Sequence, residues 1–132
     1  MPTQPKVLIV ILNYGTYEMT ISLINELQAD LEYENYNIMV VDNCSPNESA
    51  EVLEGKSKEM NFIFYANKTN AGYAAGNNIG IRYGIEHGYD YSWILNNDVE
   101  LREKDVLKHI IEIAEKDDHI GCIGPMIYTL DG

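Results

Sequence analysis

The amino-acid sequence predicts an α/β fold in which a mostly parallel sheet is flanked by helices. Short apolar runs of strand length recur along the chain, and segments with helical spacing of their apolar residues alternate with them. Such alternation implies right-handed crossovers, which place the strands parallel in one sheet. A chain of 132 residues has room for one domain with a substantial core, so a single domain is expected.

The opening of the chain predicts the first strand and the first helix. Residues 6–13, KVLIVILN, form a continuous apolar run rich in β-branched residues, which is typical of a central strand buried on both faces. From Thr16 the apolar residues adopt helical spacing and form one stripe: Tyr17, Ile21, Ile24, Leu27 and Leu31. A strand followed by a helix is therefore the first unit of the fold.

The second unit begins with the apolar run IMVVD at 38–42. A helix is expected after it at about 46–55, because Ser45 is suited to cap a helix and Pro46 to occupy its first turn. Glu48 would complete a capping box. The remaining elements are predicted in the order strand, helix, strand, helix, strand, at 61–65, 72–87, 91–95, 103–116 and 120–128. A Gly-Pro pair interrupts the last strand.

The charge of the chain excludes some classes of partner. Twenty-one acidic and nine basic residues give a net charge of -12, which would repel nucleic acid and an anionic membrane surface. A phosphate-bearing ligand would need a metal cation or backbone N–H groups to supply positive potential. No apolar stretch approaches the roughly 20 residues needed to span a bilayer, and the opening lacks a signal peptide. The sequence thus predicts a soluble cytoplasmic domain that encodes no membrane association.

Cysteine and histidine spacing gives no indication of a metal site. Cys44 and Cys122 lie far apart without a CxxC motif, and we interpret both as buried thiols rather than a disulfide. The histidines, His87, His109 and His119, are not spaced as metal ligands. Two of the histidines fall in predicted helices, where surface positions are expected.

Polar residues follow the predicted strands at the points where the strands end. They occupy 13–15, 42–45, 67–72 and 96–100. In an open parallel sheet, ligands bind outside the carboxyl ends of the strands. Because these ends share one edge, the sequence predicts a ligand site there.

Two of these segments contain carboxylates that admit more than one interpretation. Asp42 ends an apolar strand, where it could accept hydrogen bonds from a nucleoside, or form an Asx turn or a helix cap. Asn96 and Asp98 share one side of the chain if the extended conformation continues. Their oxygens suit magnesium or manganese carrying a diphosphate, but a solvated loop would use the same residues.

Glycines recur every fourth residue, at Gly72, Gly76, Gly80, Gly84 and Gly88. Each glycine inside a helix costs about 1 kcal/mol relative to alanine, so the repeat requires a structural reason. Packing against a sheet accounts for Gly80 and Gly84. We expect Gly72 and Gly76 to lie at a helix start that faces a phosphate or sugar, and Gly88 to end the helix.

Two common nucleotide-binding motifs are missing from the sequence. The dinucleotide fingerprint GxGxxG would follow the first strand, where this chain has NYGTYE. The P-loop pattern GxxxxGK[ST] is also missing. A nicotinamide-dependent enzyme is therefore disfavoured.

Five segments, in their order and spacing, resemble glycosyltransferase family 2, in particular its bacterial rhamnosyltransferase-like members. They are VLIVILNY, VVDNCS, NAGYAAGNNIG, WILNNDVE and IGPMIYTLDG, and the resemblance runs from about Lys6 to the last residue. It implies a Rossmann-like GT-A fold and transfer of a sugar from a nucleoside diphosphate to an acceptor hydroxyl with inversion. Residues 1–132 would form one nucleotide-sugar-binding domain, the N-terminal half of a truncated catalytic domain.

The resemblance also implies roles for individual residues. Asp42 matches the family aspartate that contacts the nucleoside base. Asp98 matches the last aspartate of a DxD-like metal motif, which implies Mn²⁺ or Mg²⁺. The first position of that motif is Asn96, whose oxygen supplies no charge, so weaker metal affinity is expected. The other residues matched to the nucleotide-sugar site are Asn13, Tyr14, Asn70, Gly72, Gly76 and Asn77.

No residue matches the catalytic base of the family, an Asp or Glu beyond the metal motif, so the chain alone is expected to be inactive. The implied partners are a UDP- or dTDP-sugar and a glycan or lipid-linked acceptor, in polysaccharide assembly. Two other hypotheses stay open. A non-catalytic nucleotide-binding module would require a reading frame that stops near Gly132, and a nucleotidyltransferase would require a basic Gly-rich loop after the first strand.

Overall fold

Strands and helices alternate along the computed structural model, which describes residues 4–129 and 131. The four-stranded sheet is entirely parallel, in the spatial order β3-β2-β1-β4. This arrangement confirms the predicted α/β fold with a parallel sheet. The elements are β1 (Val7–Asn13), α1 (Tyr17–Asp30), β2 (Tyr36–Asp42), α2 (Ser49–Ser57), β3 (Ile63–Ala66), α3 (Tyr73–Glu86), β4 (Tyr91–Asn96) and α4 (Val106–Ala114).

Strand β1 lies in the interior of the sheet, between β2 and β4. Its apolar residues divide between two cores because successive side chains point to opposite faces of a strand. Val7, Ile9 and Ile11 pack with apolar residues of α1, α2 and α4 on one face. Leu8 and Val10 pack with apolar residues of α3 on the other. The continuous apolar run therefore reflects burial on both faces.

Helix α3 approaches the sheet closely through its repeated glycines. A Cβ at Gly80 would lie 2.4 Å from Val10 Cγ1, and one at Gly84 would lie 3.0 Å from Ser92 Oγ. Such contacts leave no room for a larger residue, which confirms the assignment of both glycines to packing. Gly88 follows the helix with a φ of 76°, as predicted for the residue that ends it.

The predicted strand at 120–128 does not form. Residues 121–129 adopt no regular structure, and their large apolar side chains are exposed: Met126, Ile127 and Tyr128. Pro125 lacks the N–H group that a ladder hydrogen bond needs, and no described strand pairs with the outer edge of β4. Apolar sequence without a hydrogen-bonding partner was insufficient to make a strand.

Helix α2 begins at Ser49, later than predicted, and Ser45 does not cap it. The Ser45 hydroxyl instead donates to Asp42 Oδ1 at 2.6 Å. Glu48 occupies the cap position without a side-chain cap hydrogen bond, so the predicted capping box is wrong. The Ser45 side chain, which the local sequence predicted to cap α2, therefore bonds to the end of β2 instead.

Both cysteines are free and exposed, which corrects their interpretation as buried thiols. Cys44 lies in the loop after β2 with a φ of 60°, and Cys122 lies in the irregular segment after α4. Neither position is inside a strand or helix that would bury it. Among the described residues, no helix has both the length and the apolar character needed to cross a membrane.

Candidate functional site at the carboxyl edge of the sheet

Parallel pairing brings the polar segments together at one edge, as the sequence predicts. Asn13 at the end of β1 pairs with Asp42 at the end of β2. Leu12 pairs with Asn96 at the end of β4, and Asp42 pairs with Ala66 of β3. The loops that follow the strands therefore start from one row of residues across the sheet.

Asp42 is 1% exposed, and its carboxylate organises the loop after β2. Oδ1 accepts hydrogen bonds from Asn13 Nδ2 at 2.9 Å and from the Ser45 hydroxyl. Oδ2 accepts one from the Ser45 backbone N–H at 3.0 Å, three residues further along the chain, which is a local side-chain-to-backbone bond within the loop. Because a carboxylate oxygen has two acceptor positions, Oδ2 retains capacity for a further donor.

A chain of hydrogen bonds, buried at Asn13 and Thr20, links Asp42 to the loop after β4. The link begins at Asn13, which is fully buried and whose Oδ1 accepts the Thr20 hydroxyl at 2.8 Å. Thr20 Oγ1 in turn accepts Asn97 Nδ2 at 3.1 Å. Asn97 Nδ2 also donates to Thr16 Oγ1 at 2.7 Å. Helix α1 thus holds the ends of β1 and β4 in a fixed relation.

The segment after β4 is a turn rather than a continued strand. The strand ends at Asn96, and the backbone N–H of Val99 donates to the Asn96 carbonyl at 3.4 Å. Asn and Asp favour turns, and the anchoring of Asn97 to α1 bends the chain here. The extended conformation therefore stops at Asn96, so the condition under which period-2 alternation would place Asn96 and Asp98 on one side is not met. Asp98 is exposed within this turn.

Asn96 makes one side-chain contact with helix α3. Its side-chain Oδ1 accepts a hydrogen bond from the Tyr73 hydroxyl at 2.8 Å. Asn96 is exposed, and Tyr73 is 58% exposed at the first position of the helix. Tyr14, which follows β1, is 52% exposed. The rings of Tyr14 and Tyr73 are therefore open to solvent at the edge of the sheet.

Asn43 fixes the loop that precedes α3. It is 3% exposed, and its Nδ2 donates to Asn70 Oδ1 at 3.1 Å and to the Gly72 carbonyl at 3.3 Å. Its Oδ1 accepts Asn67 Nδ2 at 3.3 Å. Asn70 Oδ1 also accepts the Gly72 backbone N–H, forming a local turn. Gly72, with a φ of 99°, adopts a conformation that favours glycine at this helix start.

Gly76 and Asn77 lie in the first half of α3 in different surroundings. A Cβ at Gly76 would lie 2.6 Å from Leu12 Cδ1, and its N–H donates to the Gly72 carbonyl. Packing against Leu12 is thus a sufficient reason for glycine at this position, and the role of Gly76 in binding a ligand stays a prediction. Asn77 is 5% exposed, and neither polar atom of its side-chain amide has a hydrogen-bond partner among the described residues. A buried amide without partners is costly, which marks Asn77 as a candidate binding group.

A comparison with known protein families identifies the family to which the chain belongs. Residues 7–132 match the profile described as Glycosyl transferase family 2. The chain belongs to this family. No curated protein matches the chain in a sequence comparison.

Solved structures of low sequence identity share the fold of this family-2 chain. TarS 1-349 of S. aureus, in complex with UDP-GlcNAc, matches with a TM-score of 0.64 and 18% identity, over 84% of this chain and 31% of its own. The mannosyltransferase PcManGT of Pyrobaculum calidifontis, in complex with GDP-Man and Mn2+, matches with a TM-score of 0.72 and 14% identity, over 85% and 33%. The fold is the Rossmann-like GT-A fold, and the chain spans about a third of each of these structures.

Two acidic side chains lie close to Tyr17 at the start of α1. The charge of Glu18 raises the pKa of the Tyr17 hydroxyl at the start of α1, with smaller contributions from desolvation and from Glu48. The net charge of -12 disfavours binding of a bare phosphate to the chain. A cation or backbone N–H groups must supply the positive potential for an anionic ligand.

A second group of potential metal ligands lies at the start of α4. Glu103, Asp105 and His109 place their ligand atoms within 4.8 Å of one another. His109 Nε2 lies 3.2 Å from Asp105 Oδ2, four residues apart on the helix. The spacing of the histidines gave no indication of this group, although Asp105 and His109 are four residues apart in the sequence. The group does not include Asp98.

Several residues of the site were missed at the sequence level. Asn43 and Asn97 directly follow the predicted site residues Asp42 and Asn96, so their positions carried a signal. Thr20 is a polar residue that α1 buries completely, one turn before Ile24. A hydroxyl on the apolar side of an amphipathic helix indicates a buried hydrogen bond.

Proposed function

We propose that residues 1–132 form the nucleotide-sugar-binding part of an inverting, rhamnosyltransferase-like glycosyltransferase. Family membership supports glycosyl transfer over a nucleotidyltransferase or a non-catalytic module. The observation that carries the proposal is the hydrogen-bonded connection between Asp42 and the Asn96–Asp98 turn, through Asn13, Thr20 and Asn97. This connection holds the two groups expected at the ends of one donor in a fixed relation.

The nucleoside would lie at the ends of β1 and β2. Asp42 Oδ2 is able to accept a base N–H or a ribose hydroxyl, Asn13 holds this carboxylate, and Tyr14 offers an exposed ring for stacking. Asn70 and Gly72 shape the loop beside the donor, and the free amide of Asn77 would bind its sugar or diphosphate. UDP- and dTDP-sugars are the proposed donors.

Asn96 and Asp98 would hold Mn²⁺ or Mg²⁺. An amide oxygen and an exposed carboxylate are oxygen ligands of the kind these ions prefer, so the residues fit by their chemistry. A bound cation neutralises the diphosphate leaving group. The mannosyltransferase with a similar fold is in complex with GDP-Man and Mn2+, which supports a donor bound with metal.

The remaining parts of the reaction would lie outside this chain. Inverting transfer needs a carboxylate that takes the acceptor proton, and no described residue matches the family's base. We propose that this base follows the chain in the full protein, and that residues 1–132 alone are inactive. The acceptor would be a glycan or lipid-linked sugar in cytoplasmic polysaccharide assembly.

Calorimetric titration with UDP, dTDP and GDP, with and without Mn²⁺, tests the donor site. We expect Mn²⁺ to tighten binding and Asp98→Asn to remove that gain, because the substitution deletes the ligand charge. Asp118→Asn makes the same charge change at an exposed turn after α4 and should leave the gain intact. The proposal would be contradicted if the folded wild-type chain bound none of the three nucleotides, whether Mn²⁺ was present or not.

A further inference from the structure

Two helices on opposite faces of the sheet anchor the turn after β4. On one face, α1 holds Asn97 through Thr16 and Thr20. On the other face, α3 holds Asn96 through the hydroxyl of Tyr73. The turn that carries Asp98 is therefore fixed from both sides, although Asp98 itself is exposed.

The backbone brings Tyr73 within reach of Asn96. Gly72 turns the chain with a φ of 99° immediately before the helix. One turn later, Gly76 packs against Leu12, and Leu12 is the residue of β1 that pairs with Asn96. The close approach of α3 to the sheet thus places its first side chain beside the end of β4.

We propose that Tyr73 is a positioning residue for the metal and diphosphate end of the donor site. Its hydroxyl donates to Asn96 Oδ1, which selects the orientation of the amide and leaves a second acceptor position on that oxygen for a cation. An exposed asparagine without this partner would lose orientational freedom on binding. The inference rests on the proposed function, because it gives Tyr73 a role in the same metal-dependent binding.

The substitution Tyr73→Phe tests the positioning role of the Tyr73 hydroxyl, and Tyr65→Phe is the matched control. Tyr65 is also an exposed tyrosine near the carboxyl edge, at 46% exposure. We expect the gain in UDP affinity produced by Mn²⁺ to fall about fivefold in Tyr73→Phe, which corresponds to the loss of one hydrogen bond. The affinity without metal and the melting temperature should stay unchanged, as should all three quantities in Tyr65→Phe.

A double-mutant cycle tests whether the loss of the Mn²⁺-dependent gain comes from the hydrogen bond between Tyr73 and Asn96. In an Asn96→Ala background, Tyr73→Phe should produce no further loss, because its partner is already gone. An additional loss of the same size would overturn the positioning role. An unchanged metal-dependent gain in Tyr73→Phe alone would overturn it as well.

Side-chain amide NMR of Asn96 tests the same contact without a nucleotide. Tyr73→Phe should shift the Asn96 Nδ2 signals and leave those of Asn97 in place. Unshifted Asn96 signals would contradict the positioning role whether or not the donor site exists. Failure of the wild-type chain to bind nucleotide would contradict the proposed function. The two results therefore distinguish a failure of the proposed function from a failure of the positioning role of Tyr73.

Discussion

The ends of β1 and β2 carry the same types of residue as the end of β4, in opposite surroundings. Asn13 and Asp42 are at most 1% exposed, and each makes several hydrogen bonds within the chain. Asn96 and Asp98 are exposed, and within the described part of the chain the Asn96 side chain makes one hydrogen bond, to the Tyr73 hydroxyl. The first region is therefore held within the folded core, whereas the side chains of the second region are open to solvent.

The position of the strands in the sheet explains this difference. Strands β1 and β2 have neighbours on both sides, so polar groups at their ends are buried and must be paired within the protein. Strand β4 lies at the edge of the described sheet, where water can satisfy polar side chains. Burial thus fixes the side chains at the proposed nucleoside end, and exposure leaves oxygen atoms available at the proposed metal end.

The largest contrast is expected between Asp42→Ala and Asp98→Ala. Removal of the Asp42 carboxylate takes away the acceptor of both Ser45 donors and the nearer acceptor of Asn13 Nδ2, which should lower the free energy of unfolding by about 2–4 kcal/mol. Asp98→Ala should change it by less than about 0.5 kcal/mol, because the side chain is exposed. Urea unfolding measures both values. Equal losses for the two variants would abolish the distinction between the regions.

Thr20→Val tests the connection between the two regions. The substitution preserves the shape of the side chain but removes the hydroxyl that bonds Asn13 and Asn97. We expect a loss of about 1–3 kcal/mol in the free energy of unfolding, since buried polar groups lose their partner. Thr69→Val at an exposed position is the control and should have little effect. A stability of Thr20→Val equal to that of wild type would show that the hydroxyl does not join the regions.

Local sequence patterns predicted the elements whose formation depends on periodicity. The apolar run of β1, the stripe of α1 and the glycine spacing at Gly80 and Gly84 record which faces are buried, and the structure confirms them. Convergence of the polar segments followed from the parallel sheet, because its strand ends share one edge. These features depend only on residues close together in the sequence and on the right-handed crossovers that place successive strands parallel.

The features that were wrong or missed depend on partners distant in sequence. The strand at 120–128 lacked a neighbour, and Ser45 bonded Asp42 instead of capping α2. The bonds from Thr20 to Asn97 and from Tyr73 to Asn96 join segments that only the folded sheet brings together. Sequence patterns identify which side chains are polar, but tertiary packing decides which of them meet.

Ser45→Ala has the smallest expected effect on the free energy of unfolding among the substitutions in the hydrogen-bond network of Asp42. It tests how far the buried region extends into the loop after β2. The Ser45 hydroxyl donates to Asp42 Oδ1 and accepts the Gly15 backbone N–H, but the residue is only half-buried. Water can replace part of what is lost, so the free energy of unfolding should fall by about 0.5–1.5 kcal/mol, less than for Asp42→Ala. Ser57→Ala removes an exposed local bond to Glu54 and should cost less still in the same urea titration. If Ser45→Ala were as damaging as Asp42→Ala, the buried region would extend through the loop after β2, and the nucleoside would have to displace an ordered serine to reach the carboxylate.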